Sequence, residues 1–388
     1  MKTKPLTQVC NITTGKLDAN AEIPNGKYPF FTCAPNPLRI DTFAFDDDVI
    51  LLAGNNAQGN FHIQRFKGKF NAYQRTYVIT AKDGYDIDYI KYSLELSLQH
   101  LKRLAQGSQT KFLTMQILDS FQVIDIPQVD QRNLVGSIRE VDKKISLNTH
   151  ICAELEAIAK TLYDYWFVQF DFPDENGRPY CASGGEMVWN EQLKREIPKG
   201  WDIGNLYAIA TLINGLACQK YRPAESESSL PVVKIAEMHE GINSNTESVS
   251  ANIPEKYRIF DGDILFSWSA TLEVMYWYGG NAGLNQHIFK VVPKGSYSKE
   301  YVYHQFSSYV INFVKMAEAR KTTMGHITTD HLEQSRIVLP PEPIIEAFTR
   351  IITPIHKKIG QCRKENRELI QLRDWLLPML MNGQAEVE

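Results

Sequence analysis

Hydrophobic positions in the middle of the chain fall at Leu134, Ile138, Val141, Ile145, Asn148, Cys152, Leu155, Ala159 and Leu162, in alternating steps of four and three apart from one polar member. That is the a and d spacing of a coiled-coil seam, and it predicts one long helix from Pro127 to about Phe167. A proline is tolerated at its start because the first-turn N–H groups have no intrahelical acceptor, and none recurs before Pro173. About forty residues at ~1.5 Å each make a rod of roughly 60 Å. Adding 214 to each position gives Phe348, Ile352, Ile355, Ile359, Cys362, Asn366, Leu369, Arg373 and Leu376, a second seam. Asn148, Asn366 and Arg373 are polar at seam positions, a choice that costs stability and fixes register and orientation. Pro354 lies inside the second seam, where the first has Glu140, and is expected to kink that helix or delay its start.

A mixed pattern precedes each seam. In the first copy, short β-rich runs (Val49 to Leu52, Tyr77 to Ile79) and a helical stretch from about Asp88 to Ala105 are separated by turn signals such as Pro24-Asn25-Gly26. The second copy answers it. Phe260-Asp261-Gly262-Asp263-Ile264-Leu265 matches Phe45-Asp46-Asp47-Asp48-Val49-Ile50 at an offset of 215, Asn285-Gln286-His287 matches Tyr73-Gln74-Arg75 at 212, and Leu339-Pro340 matches Ile126-Pro127 at 213. The small changes of offset are loop insertions in a duplicated chain. The expected fold is α+β: two globular mixed α/β modules separated by a pair of long antiparallel coiled-coil helices, with a pseudo-twofold internal repeat. The antiparallel orientation follows because the second module must return the chain from the far end of the first rod. The expected boundaries are a first module over 1–126, a spacer helix over 127–172, a linker and central region over 173–200, a second module over 201–339 and a second spacer helix over 340–383.

Composition narrows the class without fixing it. The 388 residues, 43% of them hydrophobic, are enough for two or three cores. Cys10, Cys33, Cys152, Cys181, Cys218 and Cys362 form no C-x-x-C pair, which argues for reduced cytosolic thiols and against a zinc site or disulfide framework. With no signal segment and no apolar run long enough to span a bilayer, a soluble cytoplasmic protein is expected, with no membrane partner. Phosphate-cradling, dinucleotide and zinc-protease motifs and the methyltransferase tetrad are missing from the sequence, so no catalytic residue and no metal ligand is expected.

A net charge of −3 argues only weakly against nucleic acid, because local distribution matters more than the sum. Between Asp48 and Asp83 there is no acid, while Arg65, Lys67, Lys69 and Arg75 are interleaved with Asn55, Asn56, Gln58, Tyr73 and Gln74. Gln109 and Lys111 lie in a second acid-free run, and the second copy offers Asn285, Gln286 and His287, then Lys321, Thr322 and Thr323. Lys220, Tyr221 and Arg222 form one more candidate loop. Lys and Arg neutralise phosphates, and Asn, Gln and Arg form paired hydrogen bonds with purine edges, so these residues are the candidate DNA-binding set. Each of them taken singly also fits a solvated turn. Trp166, Trp268 and Trp375 are expected to be packing residues.

Two modules each followed by a long helix resemble the specificity subunit of type I restriction-modification systems. Tyr163-Asp164-Tyr165-Trp166-Phe167-Val168-Gln169-Phe170-Asp171-Phe172-Pro173, Glu175-Asn176-Gly177-Arg178-Pro179-Tyr180, Gly184-Gly185-Glu186-Met187-Val188-Trp189 and Ile197-Pro198-Lys199-Gly200-Trp201 look like that family's central region. Leu372-Arg373-Asp374-Trp375-Leu376-Leu377-Pro378-Met379-Leu380-Met381-Asn382-Gly383-Gln384 looks like its terminal helix. The resemblance implies that each module is a target-recognition domain reading one half of a split site in double-stranded DNA. It also implies that the helices around Leu134 to Leu162 and Phe348 to Leu376 act as a ruler and dock two modification (methyltransferase) subunits, with two restriction subunits in the full complex. No cofactor is expected in this chain; S-adenosylmethionine, ATP and magnesium are expected on the partner subunits. A recognition subunit for a fused restriction-methyltransferase enzyme would share this architecture, and a coiled-coil adaptor that binds no DNA is the reading from a different class.

Overall fold

The computed structural model describes residues 2–57, 59–107, 110–269, 271–319, 327 and 329–381. The chain forms two compact units, one of residues 1–145 with 369–388 and the other of residues 146–368. Each combines a small α/β module with parts of the two long helices, Gln128–Tyr163 and Glu342–Met381.

In the first unit a six-stranded sheet is built around Phe45–Ala53, which pairs antiparallel with both Ile63–Ala72 and Thr76–Ala81. The run Val49-Ile50-Leu51-Leu52 has no polar residue because both of its faces are covered: Ile50 and Leu52 join one core, Val49 and Leu51 another with Phe31 and Phe70. Helix Ile87–Leu104 packs Tyr89, Ile90 and Leu94 into the first core, capped by Asp86, whose carboxylate accepts from the N–H groups of Asp88 (3.0 Å) and Tyr89 (3.2 Å). Asp86 also binds Arg139 of the long helix at 3.1 Å, so one residue ends a turn and fixes the module to the rod. Further along, Val135 and Ile138 share that core with Leu377 and Leu380, and Arg373 meets Asp142 at 3.2 Å. The two helices are therefore antiparallel in this unit.

The second unit repeats the plan around a shorter central strand. Ile264–Ser267 pairs with Ile288–Pro293 and Glu273–Tyr276, and Ser229–Val233 lies parallel to Ala282–Leu284 as Tyr28–Phe31 lies parallel to Ile63–Ala72 in the first. The helix Lys299–Ala319 packs Tyr301, Phe306 and Phe313 into a core shared with Tyr163, Trp166, Phe167, Phe348 and Ile352. The long helices are antiparallel here too: Cys152, Ile359 and Cys362 form one cluster, and Asn148, 1% exposed, donates to Glu365 (2.8 Å) and to the side-chain oxygen of Asn366 (3.0 Å). Asn366 in turn donates to Thr149 at 3.1 Å. The polar seam residues thus face each other, and any slip would strand buried amides, at about 1–3 kcal/mol per unsatisfied group.

Two expectations are corrected. Glu342–Met381 is one helix that runs through Pro354, so its start is not delayed. A missing N–H bond and ring clash cost about 3 kcal/mol, whereas Phe348, Ile352 and Ile359 on the buried face each contribute ~1.5–3 kcal/mol. Packing wins. Trp166 is buried as expected, but Trp375 is 61% exposed. The linker and central region also holds an antiparallel hairpin, Met187–Asn190 with Arg195–Pro198, whose Trp189 projects to solvent.

Candidate nucleic-acid interface

Five loops of the first module meet at one edge. The Gly54 N–H donates to the Arg75 carbonyl (2.9 Å) and the Leu113 N–H to the Gly54 carbonyl (2.8 Å). The Tyr73 N–H reaches the Phe31 carbonyl and the Gln74 N–H the Leu17 carbonyl, both at 2.9 Å. Asn55 and Asn56 pair antiparallel with Phe112 and Lys111. The turn 73–75 is therefore held by the segments around residues 17, 31, 54 and 112. Arg75 is exposed at its tip, while the Gln74 amide donates to Asp18 at 2.8 Å. Lys102 donates to the side-chain oxygen of Asn60 at 2.6 Å, which adds a helix-borne cation to the same edge.

The second module builds the same edge from matching atoms. The Trp268 N–H donates to the His287 carbonyl (3.4 Å), the Ile327 N–H to the Trp268 carbonyl (3.0 Å) and the Asn285 N–H to the Val233 carbonyl (3.1 Å). Leu216 bridges Asn285 as Leu17 bridges Tyr73. The Trp268 indole donates to Asn214 at 3.3 Å and its ring lies 5.6 Å from that of His287. Asn285 is buried, and its side-chain oxygen accepts the His287 N–H at 3.2 Å, so it shapes the turn. Gln286 and His287 occupy the places of Gln74 and Arg75. Lys220, Tyr221 and Arg222 are exposed in the loop that follows Leu216, with the Tyr221 carbonyl accepting from the Ser250 N–H at 2.8 Å.

Arg65, Lys67 and Lys69 lie elsewhere, along the strand Ile63–Ala72. Strand register sets Asp46 opposite Lys69 and Asp48 opposite Lys67. Arg65 is bonded to Asp48 and, at 2.9 Å, to Asp88; Lys69 stands 4.7 Å over the Phe43 ring. The acid-free stretch of sequence is thus partly neutralised by acids just upstream of it. Lys67, with its side chain 81% exposed, is the freest of the three. Gln58, Gln109, Lys321, Thr322 and Thr323 lie outside the described residues. The loops around Leu17 and Phe31, with Asn214, were not singled out by sequence, and Trp268 was expected only to pack; a matched glycine shortly before Leu17 and Leu216 was the available signal.

Among the described residues no cluster of three or more His, Cys, Asp or Glu could hold a metal ion, and no helix is long and apolar enough to cross a membrane. A buried pair of histidines lies away from both edges. His304 and His356 face each other, Nε2 to Nε2, at 2.9 Å, and burial pushes both imidazoles below their ordinary value of 6.5. Both are neutral in the folded state at pH 7. Because the unfolded chain takes up their protons first, stability is full above about pH 6.5 and falls as the pH drops below it, by up to about 1.4 kcal/mol per unit for each histidine. Thermal unfolding between pH 8 and 5 should show this loss, and a His304→Gln, His356→Gln double variant should flatten it.

A duplicated α/β module with a long helix after each copy defines the class of this chain. The family model for the type I restriction modification DNA specificity domain matches residues 1–157 and 198–369, and the chain belongs to that family as a non-catalytic specificity subunit that serves DNA sequence recognition. It is 24% identical over 341 residues to the type I restriction enzyme HindI specificity subunit of Haemophilus influenzae, covering 74% of each chain. A shorter stretch of 78 residues is 55% identical to the EcoDI specificity subunit of Escherichia coli, covering 20% of this chain and 17% of that one. The crystal structure of the type I restriction-modification S subunit from M. genitalium superposes with a TM-score of 0.60 over 98% of this chain and 95% of that one; at 14% identity this likeness shows the fold alone.

Proposed function

We propose that each module reads one half of a bipartite site in double-stranded DNA with the loop edge described above. The observation that carries this reading is the repetition of one edge, three backbone hydrogen bonds and one bridge alike in both copies, with a glutamine at its tip followed by Arg75 in one copy and His287 in the other. A shared scaffold bearing an unlike side chain at one position is what two different half-sites require, since a guanidinium donates a bidentate pair to guanine and an imidazole does not. Exposed Lys67 and the Lys220–Arg222 loop would meet phosphates.

The long helices hold the spacing in this reading, and their outer faces dock two modification subunits carrying S-adenosylmethionine, with restriction subunits supplying ATP- and magnesium-dependent steps. Leu147, Ile158 and Ile351 in one unit, and Leu372 and Trp375 in the other, leave apolar surface on those faces for partner helices. The decisive experiment maps methylated adenines in the host genome with and without this gene. With Arg75→Ala, one half-site should relax at one base pair while the other stays intact, a loss of ~1–3 kcal/mol in discrimination. Equal loss at both halves would sink the assignment of one module to one half-site.

A further inference from the structure

A pocket of about 170 Å³ opens at the surface of the second unit, between the end of the first long helix, the hairpin strand Arg195–Pro198, the helix Lys299–Ala319 and the strand Ile337–Leu339, and both of its arginines are exposed at its rim. Its lining holds two arginines and no carboxylate. The Arg195 guanidinium is held 4.5 Å over the Phe170 ring and donates through one nitrogen to the Val168 carbonyl at 2.7 Å, leaving its other N–H groups open. Desolvation lowers the pKa of that guanidinium although the residue as a whole is exposed, and no carboxylate lies in the lining. Arg336 is held from the opposite wall by the Glu333 carbonyl at 2.9 Å.

The remaining polar groups are donors as well. Gln305 is 9% exposed, and its side-chain oxygen already accepts from the hydroxyls of Tyr163 (3.0 Å) and Tyr301 (3.1 Å), so its NH₂ is what it offers the pocket. Tyr309 accepts the Arg336 backbone N–H at 3.1 Å, which leaves its own hydroxyl hydrogen to donate. Asn312 completes the wall. Two guanidinium forks, amides and a hydroxyl in one lining without an acid form a site suited to an anion.

We propose that this pocket binds a phosphate group, either as free phosphate or as a phosphate of the DNA backbone. Donors come from several walls, which suits a tetrahedral ligand with several acceptor oxygens better than a planar carboxylate. The volume is well below the ~300–1,000 Å³ of a drug-sized ligand site, so the pocket takes a phosphate group and leaves any attached sugar and base outside it. The pocket is separate from the loop edge, and the assignment does not depend on the bipartite reading.

The test is thermal unfolding of the full chain in inorganic phosphate against sodium chloride at equal ionic strength and pH. Phosphate also stabilises proteins generally by exclusion from their surface, so the informative quantity is the difference between wild type and variants. The midpoint of the wild type should rise with the logarithm of phosphate concentration, and the rise should shrink to the general effect in Arg195→Gln and Arg336→Gln. Asn312→Asp places a carboxylate between the two forks and should abolish the specific rise while preserving the fold, which keeps the test decisive if a glutamine variant unfolds. An equal rise in wild type and Asn312→Asp, or a rise matched by acetate, would overturn the assignment. The source is read from DNA binding in the presence of the methyltransferase: for a backbone phosphate, Arg195→Gln lowers the salt slope by ~0.9, and for free phosphate the slope is unchanged.

Discussion

Inserting one heptad into both long helices, after Ile145 in the first and between Asn366 and Arg373 in the second, is expected to widen the unread spacer of the DNA site by about three base pairs, seven residues at ~1.5 Å against ~3.4 Å per base pair. Both half-site sequences should be unchanged. The insertions must be paired because the helices are matched residue for residue on either side of them: Arg373 with Asp142 in one unit, Asn366 with Asn148 in the other. A heptad preserves the seam, since seven residues return the a and d positions to the same face within ~20°. Lengthening the first helix alone would set Asn148 against an apolar partner or Arg373 beyond the reach of Asp142, and that variant should lose stability and activity together. Methylation mapping gives the spacer directly; a paired insertion that methylates sites of the original spacing would remove the helices from the role of ruler.

The seams were legible in the sequence because their cause is local. A step of four and three is a property of one helix, and each of the eighteen seam positions is buried or half-buried. The polar exceptions were legible for the same reason, although their mutual partners, Asn148 with Asn366 and Arg373 with Asp142, required the antiparallel register. The candidate interface was only half legible. Tyr73–Arg75 and Asn285–His287 were matched by offset, and they occupy equivalent turns. Arg65 was placed among the DNA contacts because no acid is near it in sequence, whereas sheet register sets Asp48 beside it and the adjoining helix brings Asp88. Charge compensation across strands is a property of pairing, which composition along the chain does not contain. Trp375 was expected inside because tryptophan usually is; its position two residues past the seam residue Arg373 puts it on the outer face. Pro354 misled in the opposite direction, because the penalty of proline is local and the burial that outweighs it comes from the partner helix.

The second large effect concerns two glycines that nothing in the charge pattern marks. A Cβ at Gly15 would lie 1.9 Å from the Ala72 carbonyl oxygen, and one at Gly215 would lie 2.1 Å from that of Asn285. Both obstacles are backbone, on the strand end that leads into the recognition turn, so no side-chain rotation relieves them. Gly15→Ala should push the chain at Ala72 by about an ångström and break the bonds from Tyr73 to Phe31 and from Gln74 to Leu17. Overpacking of this kind costs typically about 1–3 kcal/mol, and more where the backbone must move. The functional outcome is specific: Gly15→Ala should lose the half-site read by the first module, and Gly215→Ala the other. Gly136, inside the first long helix with open space around its Cα, is the control. Its replacement by alanine should stabilise the helix by up to about 1 kcal/mol and leave both half-site sequences as they are. Thermal unfolding and methylation mapping of the three variants separate the cases; a Gly15→Ala chain with wild-type stability that still methylates the full bipartite site would show that the turn can be displaced without consequence, and the loop edge would then lose its claim to read DNA.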